Sequence, residues 1–172
     1  VHDIDGNGSQ DVIVGRTVWV NDGRGRCVSD TSRFVDADGA RIHQCQLADL
    51  NGDGWPDLFA IVLTEKGSAA RVYLNDNAGH FREAGEALRM NVLAAVKLGD
   101  VNGDGFLDAV VSGWRNQSAD PCPNRVLLND GKGRFADTGQ VFDEAMRHSH
   151  GLALGDFDRD GDLDLVLVTQ GE

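Results

Sequence analysis

Apolar and polar positions alternate in short bursts along this chain, without the 3.6-residue stripe of an amphipathic helix. The runs Val12–Val14, Leu58–Leu63, Ala109–Val111 and Leu165–Val168 are bounded by Asp or Gly, and their length and β-branched content predict buried strands. A second set of strands is predicted at Thr17–Val20, Arg71–Leu74 and Arg125–Leu128, each closing on Asn-Asp. Gly or Asn follows, the residue types that tolerate the positive φ of a hairpin turn. Leu93–Leu98 and Gly151–Leu154 read as a third kind of strand, and the residues after each Asn-Asp turn as a fourth. Helix is scarce: Glu83–Met90 and Asp143–Arg147 are short, carry no apolar stripe and read as connections between units.

The strands recur on a common beat. Asp3-Ile-Asp-Gly-Asn-Gly-Ser-Gln-Asp11 returns as Asp49-Leu-Asn-Gly-Asp-Gly-Trp-Pro-Asp57 and as Asp100-Val-Asn-Gly-Asp-Gly-Phe-Leu-Asp108. It returns again as Asp156-Phe-Asp-Arg-Asp-Gly-Asp-Leu-Asp164. Between these loops the Asn-Asp turn recurs at Asn21, Asn75 and Asn129, 54 residues apart each time. Two interleaved motifs on a period of roughly 50 residues, each period holding four short strands, point to an all-β fold of four-stranded antiparallel propeller blades. The repeats fall at about 1–41, 42–91, 92–147 and 148–172 of one domain. That content predicts an incomplete propeller of three to four blades, or a piece of a larger one. The first loop lacks a full strand before it and the last repeat stops short, so the expectation is a part of a longer protein, with any signal peptide outside it.

Each acidic loop offers oxygen at positions 1, 3, 5 and 9. The sets are Asp3, Asp5, Asn7 and Asp11; Asp49, Asn51, Asp53 and Asp57; Asp100, Asn102, Asp104 and Asp108; and Asp156, Asp158, Asp160 and Asp164. Position 7 is Ser9, Trp55, Phe106 or Asp162, a variety that suits a backbone carbonyl ligand. Position 6 is always Gly, which permits a sharp turn. Such a hard, all-oxygen set with 6–8 donors suits Ca²⁺, disfavours zinc, copper and iron, and is more irregular than Mg²⁺ accepts. About four calcium ions are expected. An EF-hand is excluded, because position 12 falls on Val14, Ala60, Val111 or Leu167 instead of Glu.

Charge sharpens this picture. The net charge is −12, and the loop ligands alone contribute thirteen carboxylates. Nucleic acid and anionic membrane surfaces are poor partners for such a chain, and no apolar stretch approaches the ~20 residues of a membrane span. Cys27, Cys45 and Cys122 show no metal or redox spacing; in an oxidising compartment Cys27 with Cys45 is the expected pair.

The loops and turns resemble the FG-GAP and VCBS repeat families, which include the propeller of integrin α subunits, and in particular the cartilage-acidic-protein-like and bacterial VCBS-repeat proteins. Gly155–Leu165 and Leu128–Phe135 carry that likeness best. The resemblance implies calcium-binding blades, here a fragment of a propeller of roughly seven, in a protein that is secreted, at the cell surface, or periplasmic in a bacterium. It also implies that ligands bind on the face opposite the calcium loops, where Gly113–Asn124 is the longest segment. There Trp114 either stacks on a sugar, anchors a protein partner or packs beneath its own loop, and Arg115 offers a grip on a carboxylate. Trp55 is expected to serve only through its backbone and Trp19 to be core. His148 and His150 share a strand face but no carboxylate pair or nucleophile accompanies them, so a structural role is expected. Asn116 is the credible glycosylation acceptor, since Asn7 lies in a metal loop.

With no catalytic set in view, the chain reads as a non-enzymatic adhesion or binding module for an unidentified protein or glycan ligand. The alternatives are an accessory or catalytic propeller of a carbohydrate-active enzyme, and a structural subunit that assembles through open blade edges or completes a larger propeller.

Overall fold

The computed structural model describes residues 1–35, 39–65, 67–90, 93–113, 124–142 and 149–169. Among them there is no helix; every regular element is a strand. The first sheet holds β1 (Val12–Val14), β2 (Thr17–Asn21) and β3 (Cys27–Asp30), with a single bridge between His2 and Asp11 on its inner side. A short β4 (Phe34–Val35) follows. The second sheet is β5 (Arg41–Ala48), β6 (Asp57–Thr64), β7 (Gly67–Asn75) and β8 (Phe81–Met90), antiparallel in chain order. The third repeats it with β9 (Leu93–Gly99), β10 (Asp108–Gly113), β11 (Asn124–Asn129) and β12 (Phe135–Phe142). The fourth shows β13 (Ser149–Gly155) paired with β14 (Asp164–Thr169). These are propeller blades, in which an acidic loop joins the two inner strands and the Asn-Asp turn joins the two outer ones.

Strand alternation explains how the blades stack. Each central strand is apolar on both faces, as a sheet buried between two neighbours must be. Leu58, Ala60, Val62 and Tyr73 of the second blade meet Ile4, Val18 and Phe34 of the first. From its opposite face Phe59, Ile61, Ala70 and Val72 meet Val96, Ala109, Val111 and Leu127 of the third. Ala95, Val110 and Val126 then meet Leu152 of the fourth. The inner strands of neighbouring blades do not pair directly. Instead the Gln44 and Gln46 side-chain oxygens on β5 accept the Val96 and Leu98 N–H groups of β9, at 2.8 and 3.0 Å.

Three expectations change. Glu83–Met90 is no connection: it lies in β8, the outer strand of the second blade, and pairs with β7. β4 adds a parallel strand on β8, held by Phe34, which stacks on Phe81 (5.3 Å) and meets Tyr73 edge-on (5.5 Å). Trp19 is 39% exposed, because Val18 and Val20 occupy the buried face of β2 and alternation turns Trp19 outward. Cys27 and Cys45 are free thiols: Cys27 sits on the outer strand of the first blade and Cys45 on the inner strand of the second. Trp114, Arg115, Asn116, Cys122, Asp143–Arg147 and His148 lie outside the described residues, as does the side chain of His150.

Candidate metal centres

The four acidic loops fold alike. Oδ1 of Asp49 accepts the Gly52 and Asp53 N–H groups, and Oδ2 accepts that of Gly54 at 2.8 Å. Asp3, Asp100 and Asp156 take the corresponding three donors in their own loops. The side chains at positions 3 and 5 accept the N–H two residues on, as at Asn51 and Asp53. This curl requires left-handed backbone at positions 4 and 6. Gly supplies both in the first three loops, whereas Arg159 holds position 4 of the fourth at φ 68°.

Position 9 does more than close the loop. Asp57 is fully buried; its Oδ2 accepts the Leu50 N–H at 3.1 Å and its Oδ1 accepts the Asn75 N–H at 2.8 Å. Asp11 receives Ile4 and Asn21 in the same way, and Asp108 receives Val101 and Asn129. Each of these carboxylates therefore ties an acidic loop to the Asn-Asp turn of its own blade. Burial pushes the Asp57 carboxyl up to about 6, opposed by the two N–H donors and aided by the nearby Asp53 and Asp49. Burial raises Asp108 too, with Asp104 and Asp100 adding to it.

Positions 1, 3 and 9 converge. In the first loop the carboxylates of Asp3, Asp5 and Asp11 bring oxygens within 4.8 Å of one another, and in the fourth Asp156, Asp158 and Asp164 do the same. Oxygens on opposite sides of one Ca²⁺ are separated by about 5 Å, twice a bond of roughly 2.4 Å. The donor set and its spacing therefore fit calcium. In the second and third loops position 3 is an amide; Asn51 Nδ2 donates to Asp53 (3.0 Å) and Asn102 Nδ2 to Asp104 (2.8 Å), linking positions 3 and 5. Arg33 stands beside the first loop, 3.6 Å from Asp5, placing positive charge at its rim.

Position 7 is not a backbone position alone. A methyl group placed on Gly6 would meet the Trp55 ring at 2.6 Å, so Trp55 lies against the preceding loop. Ser9 and Phe106 instead lie against Gly23 and Gly131 in the turns of their own blades. Asp162 is exposed and its N–H donates to Asp160.

The Asn of the second motif carries a role that the turn reading misses. Asn75 Nδ2 donates to Pro56 O in its own blade and to Ile4 O in the blade before it, at 3.2 and 2.9 Å. Asn129 repeats this with Leu107 O and Leu50 O. This Asn is a latch between consecutive blades. Its signal in the sequence is the unvarying Asn at 54-residue intervals, where a turn alone would accept Asp or Gly.

Two comparisons bear on these loops. The FG-GAP-like repeat family model matches residues 3–60, 49–111 and 100–167. Human integrin alpha-7 is 42% identical over 77 residues, a match covering 38% of this chain and 6% of that protein. The chain thus spans only a small part of that relative's length.

Proposed function

Because this chain belongs to the FG-GAP-like repeat family, we propose that it is a calcium-stabilised propeller module that acts outside the cell or at its surface, binding a protein or glycan ligand without catalysis of its own. The observation that carries the calcium reading is the convergence of three carboxylates in the first and fourth loops. Side-chain oxygens at positions 1, 3, 5 and 9 would hold the ion, with the carbonyls of Ser9, Trp55, Phe106 and Asp162 as further donors. Bound calcium supplies positive charge that offsets the crowded carboxylates. The rest is done by the chain. Asp3, Asp49, Asp100 and Asp156 curl their loops around three N–H groups each. Asp11, Asp57 and Asp108 pass that order to the hairpins, and Asn75 and Asn129 pass it to the preceding blade.

An extracellular setting is supported by the likeness to an integrin alpha chain and by the exposure of the loops. Sites open to solvent at Asn7, Asp53, Asp104 and Asp160 suit the ~0.1–1 mM affinities of extracellular calcium modules. Thermal melts in excess Ca²⁺, excess Mg²⁺ and chelator test the proposal. The expected result is a Ca²⁺-selective rise in melting temperature, growing with ion concentration and reduced in Asp156→Asn/Asp158→Asn. A melt unchanged by chelator would sink it.

A further inference from the structure

We infer that β12, the outer strand of the third blade, is a docking edge for an extended peptide that carries an aromatic residue, seated there as β4 is seated one blade earlier. The inference gives the binding-module reading a ligand class, a protein segment, and rests on that reading. Its basis is a slot that this chain fills for itself once and leaves open once. At the boundary of the first and second blades the occupant is β4. Its Phe34 is buried, stacked on Phe81 and packed against Tyr73 and Val18. The backbone joins in: the Phe81 N–H donates to Arg33 O at 2.6 Å, and Phe34 and Val35 lie parallel to Phe81 and Arg82. Beneath this cover Phe81 is fully buried.

The walls of that slot recur 54 residues on, at the boundary of the second and third blades. Arg16, Val18, Asp30, Tyr73 and Phe81 become Ala70, Val72, Ala84, Leu127 and Phe135. The segment equivalent to β4 does not cross over to fill it. Leu88, 54 residues after Phe34, stays paired with Ala70 inside the second blade, and β9 begins three residues after β8 ends. A cavity of about 240 Å³ remains between Phe59, Ala70, Val72, Ala84, Leu88 and Phe135. That is more room than the ~150 Å³ that accepts a benzene ring. Phe135 is only half-buried, and the strand beyond it is exposed from Ala136 to Gln140. Among the described residues β12 is the outermost strand of its sheet, and no segment from outside the blade accepts the Phe135 N–H as Arg33 accepts that of Phe81.

Charge sets the residue before the aromatic. Arg33 is held by Asp5 and Asp30. At the open slot the corresponding positions are Asn51 and Ala84, and the turn beside it carries exposed Lys132 and Arg134. Glu86 is the one acid among the described residues that line the cavity. An acidic residue therefore suits the place that Arg33 takes in the filled slot, and the segment recognised reads acidic, aromatic, β-branched. It adds parallel to β12. The carbonyl before the aromatic accepts the Phe135 N–H, and the aromatic ring enters the cavity between the blades. Main-chain bonds along the edge supply affinity and the cavity supplies specificity.

The probe is a synthetic peptide of residues 29–38 carrying Arg33→Glu, titrated into the chain in calcium and followed by calorimetry and amide NMR. The expected result is saturable binding, with shifts centred on Phe135 and slowed exchange of its N–H. A second peptide that also carries Phe34→Ala should bind at least about tenfold more weakly, through loss of a buried aromatic side chain. On the protein, Ala84→Leu fills the cavity and should weaken binding by a similar factor while the calcium-dependent melt persists. The peptide comparison needs no altered protein, so it decides the matter even if Ala84→Leu folds poorly. No binding at roughly millimolar peptide, shifts centred on Phe81 through displacement of β4, or equal binding of the two peptides would each overturn the inference. Failure here with the calcium-dependent melt intact strikes the peptide site and leaves the calcium module standing. A melt indifferent to calcium strikes that reading whatever the peptide does.

Discussion

Asn75→Ala is the substitution that best measures how strongly one blade depends on the next. Asn75 is 4% exposed and its side chain makes four hydrogen bonds. Two run from Nδ2 to the Ile4 and Pro56 carbonyls, and two run to Oδ1 from the Asn77 and Gly79 N–H groups. Truncation leaves the Ile4 carbonyl without this donor in a fully buried residue, along with the turn N–H groups. A buried polar group left unsatisfied costs about 1–3 kcal/mol and a solvated one much less, so the loss should be about 3 kcal/mol. Asn21→Ala is the internal control. It sits at the same repeat position but among the described residues its side chain bonds to Gln10 and Gly23, both exposed, and its loss should cost about 1 kcal/mol. The assays are urea unfolding and a thermal melt in saturating calcium, both followed by circular dichroism, with the melting temperature of Asn75→Ala falling by roughly 6–12 °C. Equal losses at Asn21 and Asn75 would refute the reasoning, for the Asn would then matter only to its own turn.

Other consequences follow from single positions. Arg159 occupies at φ 68° a position that is Gly in the other three loops, so Arg159→Gly should stabilise the protein by about 0.5 kcal/mol, relief of the left-handed strain outweighing the added chain entropy. A melting temperature that falls instead would contradict it. Gly6→Ala places a methyl 2.6 Å from the Trp55 ring at φ 74° and should cost about 2 kcal/mol. Adding Trp55→Ala should recover the clash but not the backbone strain, giving a coupling above ~0.5 kcal/mol in a double-mutant cycle; strict additivity would show that the two do not touch. In chelator, Asp57 titrates near 6 and Asp108 is also raised, so both folded-state values lie above the unfolded one. Protons then bind the folded state more tightly, a stabilisation present below about pH 4 and lost as pH rises through about 6. Metal-free protein should therefore melt higher at pH 5 than at pH 7.5, and Asp57→Asn should flatten that dependence. A profile that rises toward pH 7.5 would exclude burial as the dominant force on these carboxyls.

The repeat, the all-β class and the blade are legible in the sequence because each is local. An acidic loop curls by hydrogen bonds spanning two to five residues, and the short Val- and Ile-rich runs beside it can only be strands. Even the oxygen positions of the loops are readable, since alternate residues on one tight turn need no distant partner to converge. What lies between blades was not legible. Glu83–Met90 has no strand signature of its own and becomes β8 through pairing with β7. Trp19 is exposed where Tyr73, its equivalent, is buried, because among the described residues a preceding blade stands only before Tyr73. The buried role of the ninth-position Asp and the latch formed by Asn75 likewise depend on partners up to 71 residues away. The chain by itself thus determined the unit and its period, through hydrogen bonds and turns that close within a few residues. Only the stacking of units decided which apolar faces are covered and which polar atoms are satisfied, because those partners arrive from a neighbouring repeat.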